Sequence, residues 1–173
     1  MNKKLSLVVG AAIASAGLVS SSAYAANATA SASATVLSPL TLTAGAAMNF
    51  GNVAAVTGAA STVVLTPAGG TSSADGAVVS GTPAAGAFSV TGDDSLSYTI
   101  LLPASTTLTG GTGPDITVDN FTDSKGGTSA TPATALNTSG GADNCTVGAT
   151  LNLADGQGSG TYSGTYSVTV NYE

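Results

Sequence analysis

The sequence predicts an all-β protein, an antiparallel sandwich or barrel, and three observations predict it. Helix formers such as Glu, Lys, Arg and Gln barely occur, whereas Thr, Val and Tyr mark most segments that are not loops. Short strand-like runs recur between clusters of Gly, Pro and Asp, the spacing expected of many short antiparallel strands. The clearest run, 161–172, alternates polar and apolar residues almost without error.

Taken in order, the expected strands are 36–43, 47–53, 62–66, 77–80, 87–91, 95–102, 116–121, 146–153 and 161–172. In 95–102 the residues Leu96, Tyr98, Ile100 and Leu102 share one face, and Pro103 ends the run. Gly92-Asp93-Asp94 reads as the turn of a hairpin over 87–102. Leu151 and Leu153 alternate with polar neighbours, and residues 154–160 form a Gly-rich link into the last strand. The Thr- and Gly-rich stretch from Ser105 to Asp143 has weaker periodicity and predicts long loops around one strand at 116–121. In the last run Tyr162, Gly164, Tyr166, Val168, Val170 and Tyr172 share a face. No later segment of the sequence follows to cover that face, which leaves open what pairs with it.

The first 25 residues read as a cleavable signal peptide rather than as part of the fold. Lys3 and Lys4 precede an apolar, small-residue core from Leu5 to Val19, and Ala23-Tyr24-Ala25 offers small residues at −3 and −1. The product is expected to be exported, and to stay soluble or become part of an assembly. Residues 26–36 then form an N-terminal extension, and residues 37–173 a single domain.

Cleavage after Ala25 leaves Lys125 against nine acids, a net charge of 1 − 9 = −8, with neither Arg nor His. That balance argues against nucleic acid and against an anionic membrane surface, both of which demand clustered cations. No second stretch is apolar and long enough to enter a membrane. Without His there is no Ser–His or Cys–His pairing, and no G-x-S-x-G turn occurs, so no enzyme activity and no cofactor are expected. Thr122 and Lys125 have a nucleophile-to-lysine spacing, but in a Gly-rich loop with no helix to bring them together. Asp115, Asp119 and Asp123 recur every four residues without forming a calcium-loop pattern, so no metal site is expected. Cys145 stands alone. It is either a bridge to another chain or a small buried residue beside Val147, and its place in an alternating run favours the second.

The extension differs in kind from the rest. Ala28, Ala30, Ala32, Ala34 and Val36 alternate with Thr and Ser, a period of two built on the smallest apolar side chain. Either it is a low-complexity leader, or it is an extended strand whose small side chains enter a groove elsewhere.

The last fourteen residues resemble the C-terminal signature of chaperone–usher pilins, in which a Gly fourteen residues from the end precedes alternating apolar residues and a penultimate Tyr. Here these are Gly160, then Tyr166, Val168 and Val170, then Tyr172. The chain also resembles a family of exported bacterial proteins of unassigned function that is similar to these pilins. That likeness rests on residues 38–42 (Ser-Pro-Leu-Thr-Leu) with 48–51 (Met-Asn-Phe-Gly), on 88–92 with 98–103, on 147–151 and on the last stretch.

The resemblance implies an immunoglobulin-like antiparallel β-sandwich that lacks its last strand and is completed by a donor strand. It implies a fimbrial subunit that polymerises with other copies of itself, handled by a periplasmic chaperone and an outer-membrane usher. The donor residues would be Ala28, Ala30, Ala32, Ala34 and Val36. The groove and chaperone contacts would be Gly160, Tyr162, Tyr166, Val168, Val170, Tyr172 and Glu173. Two departures stand out. Many such pilins carry a disulfide, which one cysteine cannot form, and their donor strands tend to carry larger side chains. A buried Ala methyl gains only ~0.8 kcal/mol where Val, Leu or Ile gains ~1.5–3. An Ala-rich donor must therefore lean on main-chain hydrogen bonds, each worth a net ~0.5–1.5 kcal/mol. The alternative is a self-contained exported adhesin or carbohydrate-binding sandwich, with the work done by loops between Thr106 and Ala142.

Overall fold

The computed structural model describes residues 25–94, 96–136 and 142–173. The expected signal peptide thus lies outside the described residues except for Ala25. The chain divides into two units, Met1–Thr35 and Val36–Glu173. In the first, residues 25–35 carry no strand and are exposed throughout.

The second unit is all-β, and every strand pair in it is antiparallel. In chain order the described strands are β1 (Thr41–Ala44), β2 (Asn52–Ala54), β3 (Ser61–Leu65), β4 (Thr71–Ala74), β5 (Val78–Ser80), β6 (Gly86–Thr91), β7 (Ser97–Leu101), β8 (Ser105–Gly110), β9 (Ile116–Asp123), β10 (Ala133–Leu136), β11 (Ala142–Leu153), β12 (Tyr162–Ser163) and β13 (Thr169–Tyr172). No helix among the described residues is long and apolar enough to cross a membrane.

The organising element is β11, twelve residues with a small or apolar side chain at alternate positions. Cys145, Val147, Ala149, Leu151 and Leu153 are all buried. One edge of β11 pairs with β6 as far as Val147 and then with β3 from Ala149; the other pairs with β9. Gly148 sits at the change of partner, where a Cβ would run into the Leu65 carbonyl and the Thr66–Pro67 backbone. Opposite, β9 carries one extra residue. Asn120 adopts φ 47° there, and the resulting bulge turns Phe121 fully into the core. β8 and β12 extend this sheet beyond β9, β1 borders β6, and β4 borders β3.

A smaller sheet, β10–β7–β13, packs over the first. Tyr98 and Ile100 of β7 and Ala135 of β10 join Val63, Val90, Val118 and Val147 in one core, so the two sheets form a sandwich-like arrangement. β2 and β5 make a separate two-stranded ribbon, and Val53 and Val79 pack against the core.

Five expectations need correction. The run 87–102 is not a hairpin: β6 belongs to the large sheet and β7 to the small one. Both strands carry large apolar residues on one face, and opposite sheets bury both faces against a shared core. The stretch 105–143 is not mainly loop, since it holds β8 and β10 and the start of β11. β8 alternates exposed Ser and Thr with the half-buried Thr106 and Leu108, and β10 buries the small Ala133 and Ala135, so neither shows the strong contrast that marks a strand. Likewise β4, a Thr-Ser-Ser-Ala edge exposed throughout, has no apolar face to betray it. The expected strand at 47–53 reduces to an isolated bridge at Asn49 and the short β2. The terminal run, finally, is two strands in two sheets, β12 against β8 and β13 against β7.

Candidate functional site

The terminal run crosses from one sheet to the other, and the crossing creates an opening. Residues 164–168 belong to neither ladder. They are tied to β8 only by a side chain, Thr106 Oγ1 donating to the Thr165 carbonyl at 2.6 Å. The predicted alternation nevertheless survives the break. Tyr162, Tyr166, Val168, Val170 and Tyr172 are half-buried, and the intervening residues are exposed. None of the five is fully buried, so this apolar face is only partly covered.

Facing it across the opening is the chain after β1. Residues 45–49 hydrogen-bond on one side to 84–87, through Gly45 N to Ala87 O and a reciprocal Asn49–Ala84 pair. Their other side borders the opening. Among the described strands, β1 pairs with β6 alone and β13 with β7 alone, so both leave an edge free.

Between these walls run two connected hollows. The wider, about 710 Å³, lies between residues 48–55 and the stretch 157–164. Its floor is apolar, with Leu108, Ile116, Val118, Phe121, Leu151 and Leu153. The narrower, about 270 Å³, lies between residues 44–48 and 164–166. Met48, Gly164 and Tyr166 line both, so the two form one groove, and no charged side chain lines either part.

Tyr166 stands at the junction. Its ring meets Phe88 edge-on at 5.9 Å and lies tilted against Phe121 at 5.3 Å, and its hydroxyl rests over Gly86. Burial, with a smaller effect of nearby Cys145, pushes its hydroxyl pKa up. The wide end is closed by a polar knot around Tyr162. The Tyr162 hydroxyl donates to the Gly158 carbonyl at 2.8 Å and accepts from Gly113 N at 3.0 Å and Gln157 Nε2 at 2.9 Å. Gly160 fits here because its φ is 138° and a Cβ would press on Gly111. At the other end Tyr172 accepts from Asp93 N at 2.7 Å and donates to the Ser38 carbonyl at 3.0 Å, fastening the approach to β1 to the β6–β7 turn. Glu173 is held by the small sheet, its N–H on the Ser97 carbonyl and its Oε1 accepting from Thr134.

Of the residues expected to line a groove, Tyr162, Tyr166 and Gly160 border the hollows. Val168, Val170 and Tyr172 continue the same half-buried face along β13. Sequence reasoning missed the opposite wall, residues 44–55, whose mixed Ala, Gly and Asn carry no regular period. The expected donor residues Ala28, Ala30, Ala32 and Ala34 are exposed, and Val36 is 92% exposed.

A second cluster lies on the core side of β9 and β11. Lys125 Nζ pairs with Asp143 Oδ1 at 2.7 Å, and Tyr98 donates to Asp143 Oδ2 at 2.8 Å. Burial alone would raise the Asp143 carboxyl, but the hydrogen bonds from Lys125 and Tyr98 outweigh it and hold the carboxyl below its usual range. Burial and the same Asp143 bond push the Tyr98 hydroxyl up. Asp123 is buried, and its Oδ1 organises the following turn by accepting from Lys125 N and Gly127 N. Its Oδ2 has no hydrogen-bond partner among the described residues. Asp123 and Asp143 thus stand in strands, not in the loops expected there, and Asp119 lies in the strand expected at 116–121. Cys145 is 2% exposed and packs in the core, as expected of a small apolar residue, and burial raises its thiol pKa.

Fold and site together define an antiparallel β-sandwich with an apolar-floored groove lined by no charged side chain, between residues 44–55 and 157–166. The chain belongs to a family described only as a domain of unknown function, DUF4402, which matches residues 40–172. That match carries no assigned activity and shows no chaperone–usher pilin family. No curated protein and no solved structure matches the chain.

Proposed function

We propose that this protein is the structural subunit of a cell-surface fibre, polymerised by insertion of one copy's leader into the groove of the next. The observation that carries this reading is the groove itself. It has an apolar floor, its narrow part reaches Ala44 of β1, and among the described strands β1 and β13 each leave one edge unpaired. An added strand would satisfy those edges and cover the half-buried face of residues 162–172. The leader supplies a matching element: residues 28–35 alternate Ala with Thr or Ser, and residues 26–36 carry no charged side chain. Donor and acceptor are different surfaces, so each copy keeps one of each after joining. A head-to-tail contact of that kind grows into an open filament.

The resemblance to chaperone–usher pilins supports the same scheme. In it a periplasmic chaperone occupies the groove first, an outer-membrane usher presents the subunit for exchange, and no catalysis is needed. The alternative of a self-contained adhesin relied on long loops between Thr106 and Ala142, and much of that stretch is β8, β9 and β10.

Deleting residues 26–35 tests the proposal. The truncated protein should remain monomeric in sedimentation and in electron micrographs under conditions in which the mature chain forms fibres. Fibres of normal length from the truncated protein would overturn it.

A further inference from the structure

The narrow part of the groove has a property that the wide part lacks: most of its lining residues have no side-chain rotamers. Residues 44–47 are Ala-Gly-Ala-Ala, and Ala87 and Gly164 complete the small-residue lining. Ala and Gly have no side-chain rotamers, so such a wall does not repack around a larger guest as one of Leu or Met would. The two large aromatics that share the lining are locked as well. Tyr166 is wedged between Phe88 and Phe121 with its hydroxyl over Gly86. Met48, the adaptable member, lies where the channel opens into the wide hollow.

We infer that this channel is a size filter, which admits the leader of a second copy and refuses strands carrying bulky side chains. The inference rests on the leader-insertion reading above and names what sets its selectivity. The leader offers Ala at every position of one face from Ala28 to Ala34, the smallest side chain that still buries a methyl. Charge selects the same partner. The mature chain carries nine acids and a single lysine, so most surfaces of two copies repel. The leader and the groove lining carry no charged side chain, so they meet without a like-charge contact. Close packing of small side chains also lets the main chains approach, which suits a donor held mainly by backbone hydrogen bonds. Discrimination comes from exclusion of the wrong strand rather than from extra attraction to the right one.

The experiment is competition against polymer growth of the mature protein, with synthetic peptides of residues 26–37 as the probe. The unaltered peptide should cap growing ends and shorten the polymer. Leu replacing Ala at one or two neighbouring positions among 28, 30, 32 and 34 should raise the half-inhibiting concentration about tenfold or more. Ser31→Leu and Ser33→Leu, on the opposite face, should leave it nearly unchanged, which separates a steric block from general hydrophobicity. If every Leu peptide inhibits as well as the original, the filter is wrong while leader insertion stands. If the original peptide has no effect on a chain that polymerises, insertion and filter both fall.

Discussion

Single residues in this sandwich are committed by what surrounds them rather than by their own chemistry. Lys125, the one cation outside the expected signal peptide, is spent on Asp143, which Tyr98 also holds. Both partners of the ion pair are partly exposed, so the pair contributes at most ~1 kcal/mol. Its sign with pH follows from the depressed Asp143 carboxyl. The contribution is fully present above the unfolded carboxylate value of 3.8 and is lost as pH falls through the lower folded value. Lys125→Ala should therefore be less stable than wild type at pH 7 by up to ~1 kcal/mol. In urea melts the gap should close on acidification, once Asp143 is protonated in both proteins. A gap of constant size down to acid pH would show that the lysine acts through packing and not through charge.

At the level of elements, the strands with a strong inside and outside were legible, and the others were not. β3, β6, β7, β9 and the second half of β11 alternate Val, Leu, Ile or Phe with polar neighbours, and the expected runs overlap all of them. β4, β8 and β10 carry mostly Thr, Ser and Ala, with a single Leu in each of β8 and β10, so their two faces differ too little in polarity to announce a strand. Pairing was harder to read than existence. A turn signal at Gly92-Asp93-Asp94 indicates a reversal, but a local signal does not say whether the returning strand joins its own sheet or the one opposite. The terminal run shows the same limit from the other side. Its period of two holds from Tyr162 to Tyr172, because side chains keep alternating in extended chain whether or not the backbone is paired. The alternation therefore revealed one groove wall without revealing the break that opens the groove. Gly148 offers a test at this scale, since it allows β11 to exchange β6 for β3 along one edge. Gly148→Ala should destabilise the fold by ~1–3 kcal/mol through overpacking against the Leu65 carbonyl, seen as a lower urea midpoint. An unchanged midpoint would mean that the change of partner has room to spare.

For the whole molecule, the large sheet accounts for eight of the described strands and the small one for three. The small sheet does not cover the apolar face of the large one completely. The wide hollow lies over part of that face, floored by buried residues of β9 and β11 and by the half-buried Leu108 of β8. The groove, two free edges and an extension without charged side chains on an acidic chain are separate observations that one mechanism accounts for together. They also explain why the chain needs no catalytic group for the role proposed, since strand insertion uses surfaces already present. The most direct measurement is polymer length in electron micrographs as mature protein is mixed with increasing fractions of a chain lacking residues 26–35. The truncated chain keeps the groove and loses the donor, so it should accept a leader, offer none onward, and shorten the fibres in proportion to its share. Fibres whose length does not respond to the truncated chain, with that chain left in solution, would contradict growth by leader insertion.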